Sequence, residues 1–457
     1  MDKVFIILCD TLRAKSLPHY GNQRMTLPLT GPLLDKDFTV YSRAYAPSPW
    51  TIPSHLSLFT GLYPTQVLEN SNSFYLNPVF TTMADLFRDS GYRTAGFSTN
   101  GFIGKRFGYE KGFDRFYQMW LPDPLQDDLL FNLGADNDIG RVLEVMKLFI
   151  NSTDKKLFTD SIRQKIYKRV NNIFNNSTPS TDRCMDYLRK FVIETEAEKT
   201  FCFVNLMQAH EKHNPPKCMR NKIVPYNKAY EKYYQSVTLQ NHYAHEHFAP
   251  EFMQYLRGLY EENILYLDLS MSDFFQYLKE AGIYDSSTVI ITSDHGEHFG
   301  ENGHYAHSFS VYEPVITIPL YVKWPGKSEN RERVNNQLVM LHDLYATFQD
   351  SLDHWLPVPD SSVSLLSSGM RSWTVSQFPD ISHNIEGCVR SNADFTLADV
   401  GLQYNGLTAY VLADGRKFIR NGDAVKAYRL DSDPEESYPE EVDALPEEII
   451  VIDRSCE

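Results

Sequence analysis

The 457-residue chain contains no apolar run of the roughly 18 residues that a membrane-spanning helix requires. Its first residues, MDKVFIILCD, hold a short apolar run ending in aspartate, which is typical of a buried strand rather than of a secretory signal. Cysteine is also scarce: the six cysteines form no CxxC pair, so we expect reduced, mostly buried thiols. These absences favour a cytoplasmic protein with no membrane partner.

Basic side chains are fewer than acidic ones. The chain has 44 Lys and Arg against 59 Asp and Glu, which gives a formal net charge of −15. This balance argues against nucleic acid as the main partner. A small anionic substrate remains compatible with it, because one bound metal ion can reverse the local field. A homo-oligomer is equally compatible.

Apolar strands alternate with amphipathic helices through most of the chain, which predicts an α/β fold with a largely parallel sheet. The run KVFIILC reads as a strand with both faces buried, and TFCFVNL and STVIIT as further buried strands. Residues 250–284 indicate a long amphipathic helix or a helix pair. We interpret a polar, helix-rich stretch at about 123–199 as an insertion.

The pattern changes after about Trp373. Short strands separated by DG and NGD turns in LTAYVLADGRKFIRNGDAVKAYRL predict an antiparallel meander. We therefore place a catalytic domain at 1–371 and a C-terminal subdomain at 372–457. The acidic segment DSDPEESYPEEVDALPEE is expected to be solvated surface.

Polar side chains follow three predicted strands at the points where ligands bind to α/β sheets. They are Asp10 after the first, Gln208 and His210 after the second, and Ser293, Asp294 and His295 after the third. A lone Asp is usually a cap and a lone His a packed ring, so the argument depends on their coincidence.

The segment SDHGEHFGENGHYAH, residues 293–307, is the densest polar stretch. It carries His295, His298, His304 and His307 beside Asp294, Glu297 and Glu301. Two carboxylates and an imidazole suit a divalent ion such as Zn²⁺ or Mn²⁺. The alternative is a solvated polar loop, but an Asp-His pair directly after the buried run VIITS favours a site.

The segment PSPWTIPSHLSLFTGLYP, residues 47–64, has no acidic or basic side chain except one histidine, and carries five Ser/Thr hydroxyls. We interpret Thr51–Thr60 as a loop that leads into a helix, whose first amides help to hold an anion. A hydroxyl beside a metal ion bound by Asp10, Asp294 and His295 would be an activated nucleophile.

These segments together resemble the sulfatase family of the alkaline phosphatase superfamily over nearly the whole chain. FIILCDTLRAKSLPHYG resembles the opening metal motif, TIPSHLSLFTGLYP the nucleophile motif, STVIITSDHGEHFGENG the second metal motif, and YRLDSDPEE the closing signature. The resemblance implies an α/β/α sandwich with a central mixed, mostly parallel sheet, plus a small C-terminal subdomain with a short antiparallel sheet.

Two positions depart from the family pattern. Thr51 stands where sulfatases have a Cys or Ser that is oxidised to formylglycine, and the methyl group on its Cβ prevents formation of that aldehyde. His55 stands where the family has Arg. Threonine is the nucleophile in phosphodiesterase and phosphotransferase branches, so the resemblance implies a covalent phospho-enzyme at Thr51 and hydrolysis of a phosphodiester or phosphonate monoester.

The same resemblance implies one divalent metal ion, with Asp10, Thr51, Asp294 and His295 as its ligands. Two-metal relatives need an Asp four residues before a His; here Leu206 precedes His210 by four, so a complete second site is not expected. Sulfatases usually have an acidic residue at the position of Thr11 and Asn at that of His295, which suits Ca²⁺ or Mg²⁺. The histidine ligand favours Mn²⁺ or Zn²⁺ here, with Ca²⁺ or Mg²⁺ as alternatives.

Four further residues match substrate positions of the family. His210 is expected to contact the substrate anion or to protonate the leaving group, and His307 replaces a Lys that stabilises charge on the transferring group. Asn100 and His55 are candidate donors to a non-bridging oxygen, with helix capping as the alternative for His55.

The leading hypothesis is thus a metal-dependent phosphate ester hydrolase acting on a small anionic ester. One alternative is a sulfate ester hydrolase that works without formylglycine, and fold-level resemblance does not exclude it. A phospho-headgroup transferase is another, although such relatives usually carry membrane helices. An inactive metal-stabilised binding protein is the third, and the intact set of metal-binding candidates argues against it.

Overall fold

The first strand of the protein is buried along its whole length and lies at the centre of an eight-stranded sheet. A computed structural model describes residues 2–68, 75–121, 179–236, 248–307, 310–326, 333–354, 356–379 and 406–456. The strands are β1 (Lys3–Cys9), β2 (Thr39–Tyr45), β3 (Arg93–Ser98), β4 (Arg115–Gln118), β5 (Thr200–Leu206), β6 (Ser287–Thr292), β7 (His298–Phe299), β8 (Tyr305–Ala306), β9 (Leu320–Lys323), β10 (Val334–Met340), β11 (Trp373–Phe378), β12 (Leu407–Leu412), β13 (Arg416–Asn421), β14 (Ala424–Arg429) and β15 (Glu440–Val442).

The central sheet has the strand order β10-β2-β9-β6-β1-β5-β3-β4. Strand β1 pairs in parallel with β5 on one side and with β6 on the other. Strand β9 runs antiparallel to both of its neighbours, while the remaining pairs are parallel. The predicted mixed, mostly parallel sheet is therefore confirmed.

Helices cover both faces of this sheet. They are α1 (Gly31–Asp37), α2 (Thr51–Thr60), α3 (Pro64–Val67), α4 (Met83–Asp89), α5 (Pro179–Glu194), α6 (Lys228–Ser236), α7 (Pro250–Glu280), α8 (Glu313–Ile316), α9 (Asp343–Ser351) and α10 (Glu447–Cys456). Side chains alternate across a strand, so alternate β1 residues enter two different cores. Phe5 and Ile7 pack with α1, α5 and α7, whereas Val4 and Ile6 pack with α2, α4 and α9. This arrangement is the α/β/α sandwich that the sequence predicted.

Three segments are predicted from the sequence to contain or lead into helix. Residues 250–284 contain one long helix, α7, and the chain turns after it at Gly282, whose φ is +69°. The run Thr51–Thr60 is helical from its first residue rather than a loop leading into a helix. Pro53 is compatible with this because it lies in the first turn, where the helix needs no backbone N–H. Of the insertion predicted at 123–199, residues 123–178 lie outside the described residues and the remainder contains α5.

The predicted meander is confirmed as a five-stranded antiparallel sheet, β11-β12-β13-β14-β15. Its strand β13 presents the buried Lys417, whose Nζ lies 3.0 Å from Glu313 Oε1 and 2.6 Å from Glu436 Oε1. Glu313 begins α8, so this ionic group joins the two parts of the molecule. Glu436 corrects the expectation of a wholly solvated acidic segment, since it is buried against Lys417. The boundary at 371 and 372 stays a prediction.

Two absences expected from the sequence concern thiols and membrane spans. Among the described side chains, Cys9, Cys184 and Cys202 are buried free thiols and Cys218 is exposed. No helix in the described part of the chain combines the length and the apolarity needed to cross a membrane.

A buried ion pair fixes the segment between α9 and β11. Arg371 Nε donates to Asp343 Oδ2 at 3.0 Å, and a second guanidinium nitrogen contacts Oδ1. Asp343 also accepts hydrogen bonds from the backbone N–H groups of Met340 and Val363. The pair is nearly inaccessible to solvent.

We expect Arg371→Ala to lower the free energy of unfolding by about 3–5 kcal/mol, because it leaves the Asp343 charge buried without its partner. Arg115→Ala is the matched control, since Arg115 and Glu194 are both about half exposed and such pairs contribute about 0–1 kcal/mol. Urea denaturation followed by circular dichroism measures both. Equal losses in the two variants would contradict the assigned role of the Arg371 pair.

Candidate active site

Two neighbouring strands bring three predicted metal ligands together. Asp10 directly follows β1, and Asp294 and His295 follow β6, the strand beside it. Each offers one ligand atom, and these atoms lie within 4.8 Å of one another. All three side chains are fully buried. The convergence expected from the strand ends is therefore present in the structure.

Backbone and amide hydrogen bonds hold the two carboxylates in place. The Thr11 backbone N–H donates to Asp294 Oδ1 at 3.2 Å, with Thr11 in the left-handed region at φ 58°. The Asn100 side-chain amide donates to Asp10 Oδ2 at 2.8 Å. Asn100 therefore orients a predicted metal ligand. The sequence predicted instead that the Asn100 amide donates to a substrate oxygen.

The remaining oxygens of the two carboxylates fit a divalent cation. Asp10 Oδ1 and Asp294 Oδ2 are buried and have no hydrogen-bond partner among the described residues. His295 Nδ1 lies 3.0 Å from Gly296 O, so that nitrogen carries the proton and Nε2 keeps its lone pair. Burial and the nearby His307 hold the pKa of His295 well below its usual value. Two buried carboxylates with a neutral imidazole need a positive charge, which a metal ion supplies.

Thr51 stands beside this cluster as the first residue of α2. Its Oγ1 lies 3.5 Å from His295 Nε2. The Ser54 hydroxyl, one turn along, lies 2.8 Å from Asp294 O and so fastens the helix to the loop after β6. The N-terminal end of α2, with its partial positive charge, and the Thr51 hydroxyl thus both lie beside the metal-binding candidates.

His55 packs against the cluster, with its Nδ1 3.6 Å from Asp294 Oδ2. Its Nδ1 donates to Thr51 O at 2.8 Å, and its Nε2 accepts a hydrogen bond from Asn205 at 3.1 Å. The ring is fully buried and makes edge contacts with Tyr109 and Phe203. No ring nitrogen is left for the predicted substrate contact, so the structure corrects that assignment: His55 positions the first turn of α2.

His307 and His210 lie next to the metal-binding candidates. The rings of His295 and His307 are 4.4 Å apart, and those of His307 and His210 are 5.3 Å apart, measured between centroids. His307 Nδ1 lies 3.3 Å from Glu297 Oε1 and 3.4 Å from Glu211 Oε2. The structure thus brings both predicted catalytic histidines to one side of His295.

The charges of this group raise the pKa values of three side chains. Burial alone would lower the pKa of His307, but Glu211 and Glu297 raise it well above its usual value. The pKa of His210 is also raised, because Glu211 and Asp10 outweigh its burial. Burial and repulsion by Glu211 raise the pKa of Glu297. At neutral pH the group therefore retains protons that isolated side chains would release.

Two carboxylates of this group were assigned no catalytic or metal-binding role from the sequence. Glu211 directly follows His210, and Glu297 lies in the motif after Asp294, so adjacency to selected residues was the available signal. Other polar residues of that motif point elsewhere. His298 Nε2 lies 2.8 Å from Ser310 Oγ, and Glu301 pairs with Arg13, which lowers the pKa of Glu301 to about 2 against the effect of burial.

Helix α8 supports the loop that carries His295. The backbone N–H groups of Gly296 and Glu297 donate to Val315 O at 2.7 Å and to Pro314 O at 3.1 Å. A Cβ atom at Gly296 would lie 2.1 Å from Pro314 O, a backbone atom that has little freedom to move. Position 296 therefore requires glycine, because the Pro314 carbonyl oxygen occupies the space that a Cβ atom would need.

We expect Gly296→Ala to displace His295 and to weaken binding of a divalent cation by at least about tenfold, because the clash is with backbone. Gly101→Ala is the control, as a Cβ there meets nothing within 4 Å. Calorimetric titration with Mn²⁺ compares the two variants. Unchanged affinity in Gly296→Ala would contradict this account of the loop.

Asp10→Asn tests the electrostatic reading of the cluster. Removing one of two buried charges relieves repulsion, so the chelated variant should unfold at a temperature equal to or above that of the chelated wild type. Added Mn²⁺ at about 100 times its dissociation constant should stabilise the wild type by about 2.7 kcal/mol and the variant far less. Thermal unfolding with and without Mn²⁺ measures this, with the exposed Asp89→Asn as control. Equal stabilisation of both proteins would rule out Asp10 as a ligand.

Comparison with known proteins places these features in a family. Residues 2–354 match the family described as Sulfatase. Arylsulfatase K of Canis lupus familiaris is 25% identical over 389 residues, which cover 79% of this chain and 65% of that protein, just under two thirds of its length.

Solved structures share the fold at lower sequence identity. The phosphonate monoester hydrolase of Agrobacterium radiobacter superposes with a TM-score of 0.67 at 17% identity, covering 96% of this chain and 91% of its own. A 2-O GAG sulfatase superposes with a TM-score of 0.64 at 14% identity, covering 99% of this chain and 90% of its own. The chain therefore belongs to the sulfatase family, whose members are ester hydrolases that generally depend on a divalent metal ion.

Proposed function

We propose that this protein hydrolyses a small phosphodiester or phosphonate monoester, with Thr51 as the nucleophile. The observation that carries the proposal is the position of Thr51 at the start of α2, 3.5 Å from His295 and beside the buried carboxylates. A threonine hydroxyl attacks phosphorus directly and needs no prior oxidation. The helix N-terminus beneath it favours an anionic group at the same point.

Asp10, Asp294 and His295, together with Thr51, would hold one divalent cation. When bound, that ion favours the ionised Thr51 oxygen and draws charge from one oxygen of the ester. The imidazole of His295 favours Mn²⁺ or Zn²⁺, while Ca²⁺ and Mg²⁺ are the common ions of the family. Asn100 and His55 act on this arrangement indirectly, Asn100 through Asp10 and His55 through the first turn of α2.

His307 and His210 would serve the other oxygens of the ester. His307 is held protonated by two carboxylates and would stabilise charge on the transferring group. His210, whose pKa is raised, would donate a proton to the leaving oxygen. The contacts that run from Thr51 through His295 and His307 to His210 suit a nucleophile and an acid acting on one substrate.

The bond changes balance in two steps. The Thr51 hydroxyl releases its proton to solvent, its oxygen forms a bond to phosphorus as the bond to the leaving oxygen breaks, and the leaving oxygen takes the proton of His210. A water molecule then gives a proton to His210 and attacks phosphorus, the bond from phosphorus to the Thr51 oxygen breaks, and that oxygen takes a proton from solvent as the phosphate monoester or phosphonate leaves. The roles of acid and base exchange between the steps.

A sulfate ester is the second candidate substrate. The relatives named arylsulfatase K favour it, since they match most of this chain. The side chain of Thr51 opposes it, because its Cβ methyl group prevents formation of the aldehyde that sulfatases use. Substrate preference is therefore the first property to measure.

We expect chelator-stripped protein supplied with Mn²⁺ or Zn²⁺ to cleave bis-p-nitrophenyl phosphate and a phenylphosphonate ester faster than p-nitrophenyl phosphate or p-nitrophenyl sulfate. Thr51→Ala should lower kcat by at least about 10³-fold, since it removes the nucleophile. Ser57→Ala is the matched control, because it removes from the same helix a buried hydroxyl that has no hydrogen-bond partner in the part of the chain that the structure describes. Release of p-nitrophenolate measures all four reactions, with Mg²⁺ and Ca²⁺ tested in parallel.

Acid-quenched intact-mass measurement should show a phosphoryl or phosphonyl adduct on wild type and none on Thr51→Ala. Cleavage of the sulfate ester alone would overturn the choice of phosphorus. Retained diesterase activity in Thr51→Ala would overturn the choice of nucleophile.

A further inference from the structure

Four side chains that offer metal-ligand atoms converge beside the first cluster, from three different loops. His210 and Glu211 follow β5, Glu297 follows β6, and His307 follows β8. Ligand atoms of His210, Glu211 and His307 lie within 4.8 Å of one another, and Glu297 Oε1 lies 3.3 Å from His307 Nδ1. The sequence pattern for a second metal site is absent because Leu206 is not an aspartate. The structure assembles donors from other positions.

One oxygen of this group is left without a protein donor. Glu297 Oε1 contacts His307 Nδ1 at 3.3 Å, whereas Glu297 Oε2 is fully buried without a hydrogen-bond partner among the described residues. Two basic side chains of this region have other partners: Arg13 pairs with Glu301 at 2.8 Å, and Lys212 Nζ contacts Gln235 O at 3.1 Å. A buried carboxylate oxygen without a donor, beside three further side chains that offer ligand atoms, is an arrangement that a bound cation would satisfy.

The donor set has the chemistry of a transition-metal site. Two imidazoles and two carboxylates are ligands that suit Zn²⁺ or Mn²⁺, whereas Ca²⁺ prefers oxygen alone. The side chains of His307 and Glu211 keep 12% and 18% of their exposure, so an ion can enter from solvent. The contact between the His295 and His307 rings places the group directly beside the first cluster.

We propose that this chain binds a second divalent cation between His210, Glu211, Glu297 and His307, adjacent to the ion held by Asp10, Asp294 and His295. Hydrolases with two ions about 3.5–4 Å apart use them on opposite oxygens of one phosphoryl group. The position of the ion follows from the geometry alone, while its action on an ester rests on the proposed function. With the ion bound, His210 and His307 would be neutral ligands, and the charge of the ion would take the place of the protons that the proposed function assigns to these two histidines.

The test counts ions without any substrate. Equilibrium dialysis against Mn²⁺ followed by elemental analysis should give two ions per wild-type chain and one in the double variant Glu211→Gln, Glu297→Gln. The matched control is His304→Gln, which changes a histidine of the same loop outside the cluster and should keep two ions. In wild type, electron paramagnetic resonance should show the spin coupling of two adjacent Mn²⁺ ions.

One ion per wild-type chain at saturation, or two ions retained in the folded double variant, would overturn the proposal. If the double variant does not fold, anomalous diffraction from Mn²⁺-loaded wild-type crystals decides. A peak within about 2.3 Å of both Glu297 and His307 supports the second site, and its absence refutes it. If one ion binds and the protein still cleaves phosphodiesters, only the second metal site is rejected and the proposed function stands. If two ions bind and the protein cleaves no phosphorus ester, only the proposed function is rejected.

Discussion

Two buried carboxylates, Asp10 and Asp294, impose the main constraint on this molecule. Neither forms an ion pair with a lysine or arginine among the described residues, although both are fully buried. Burying such a pair is costly, and the surrounding fold maintains it by rigid means. Strands β1 and β6 are adjacent, Thr11 donates from a left-handed backbone, and Asn100 fixes the remaining geometry. The hydrophobic sandwich thus holds two like charges close enough to demand a cation.

The parts that the sequence predicts well are those with a local cause. Strand β1 is a continuous apolar run, and a parallel sheet forces the residues after such strands to one edge, which is why Asp10, Asp294 and His295 meet. The meander of β12 to β14 follows from its DG and NGD turns. In each case the residues of one short segment are sufficient to predict the structure of that segment.

The parts that the sequence misses depend on contacts between distant segments. His55 was expected at the substrate, but one helical turn places its ring under Thr51, where Asn205 of β5 completes its hydrogen bonds. Glu436 was expected in solvent, but Lys417 draws it into the interior. Glu211 and Glu297 are 86 residues apart in the chain and become neighbours only through the sheet. No periodicity or motif within a single segment predicts such contacts between distant residues.

The ionic link through Lys417 has a consequence for how the protein is made. Lys417 holds Glu313 at the start of α8, and the carbonyl groups of α8 hold the loop of Gly296 and Glu297. During translation the ribosome delivers Asp10 and Thr51 early, whereas Lys417 and Glu436 emerge some 400 residues later. The support that Lys417 gives to this loop, through Glu313 and α8, is therefore absent until β13 has been synthesised. A growing chain holds Asp10, Thr51 and His295 well before it holds the lysine that completes this support.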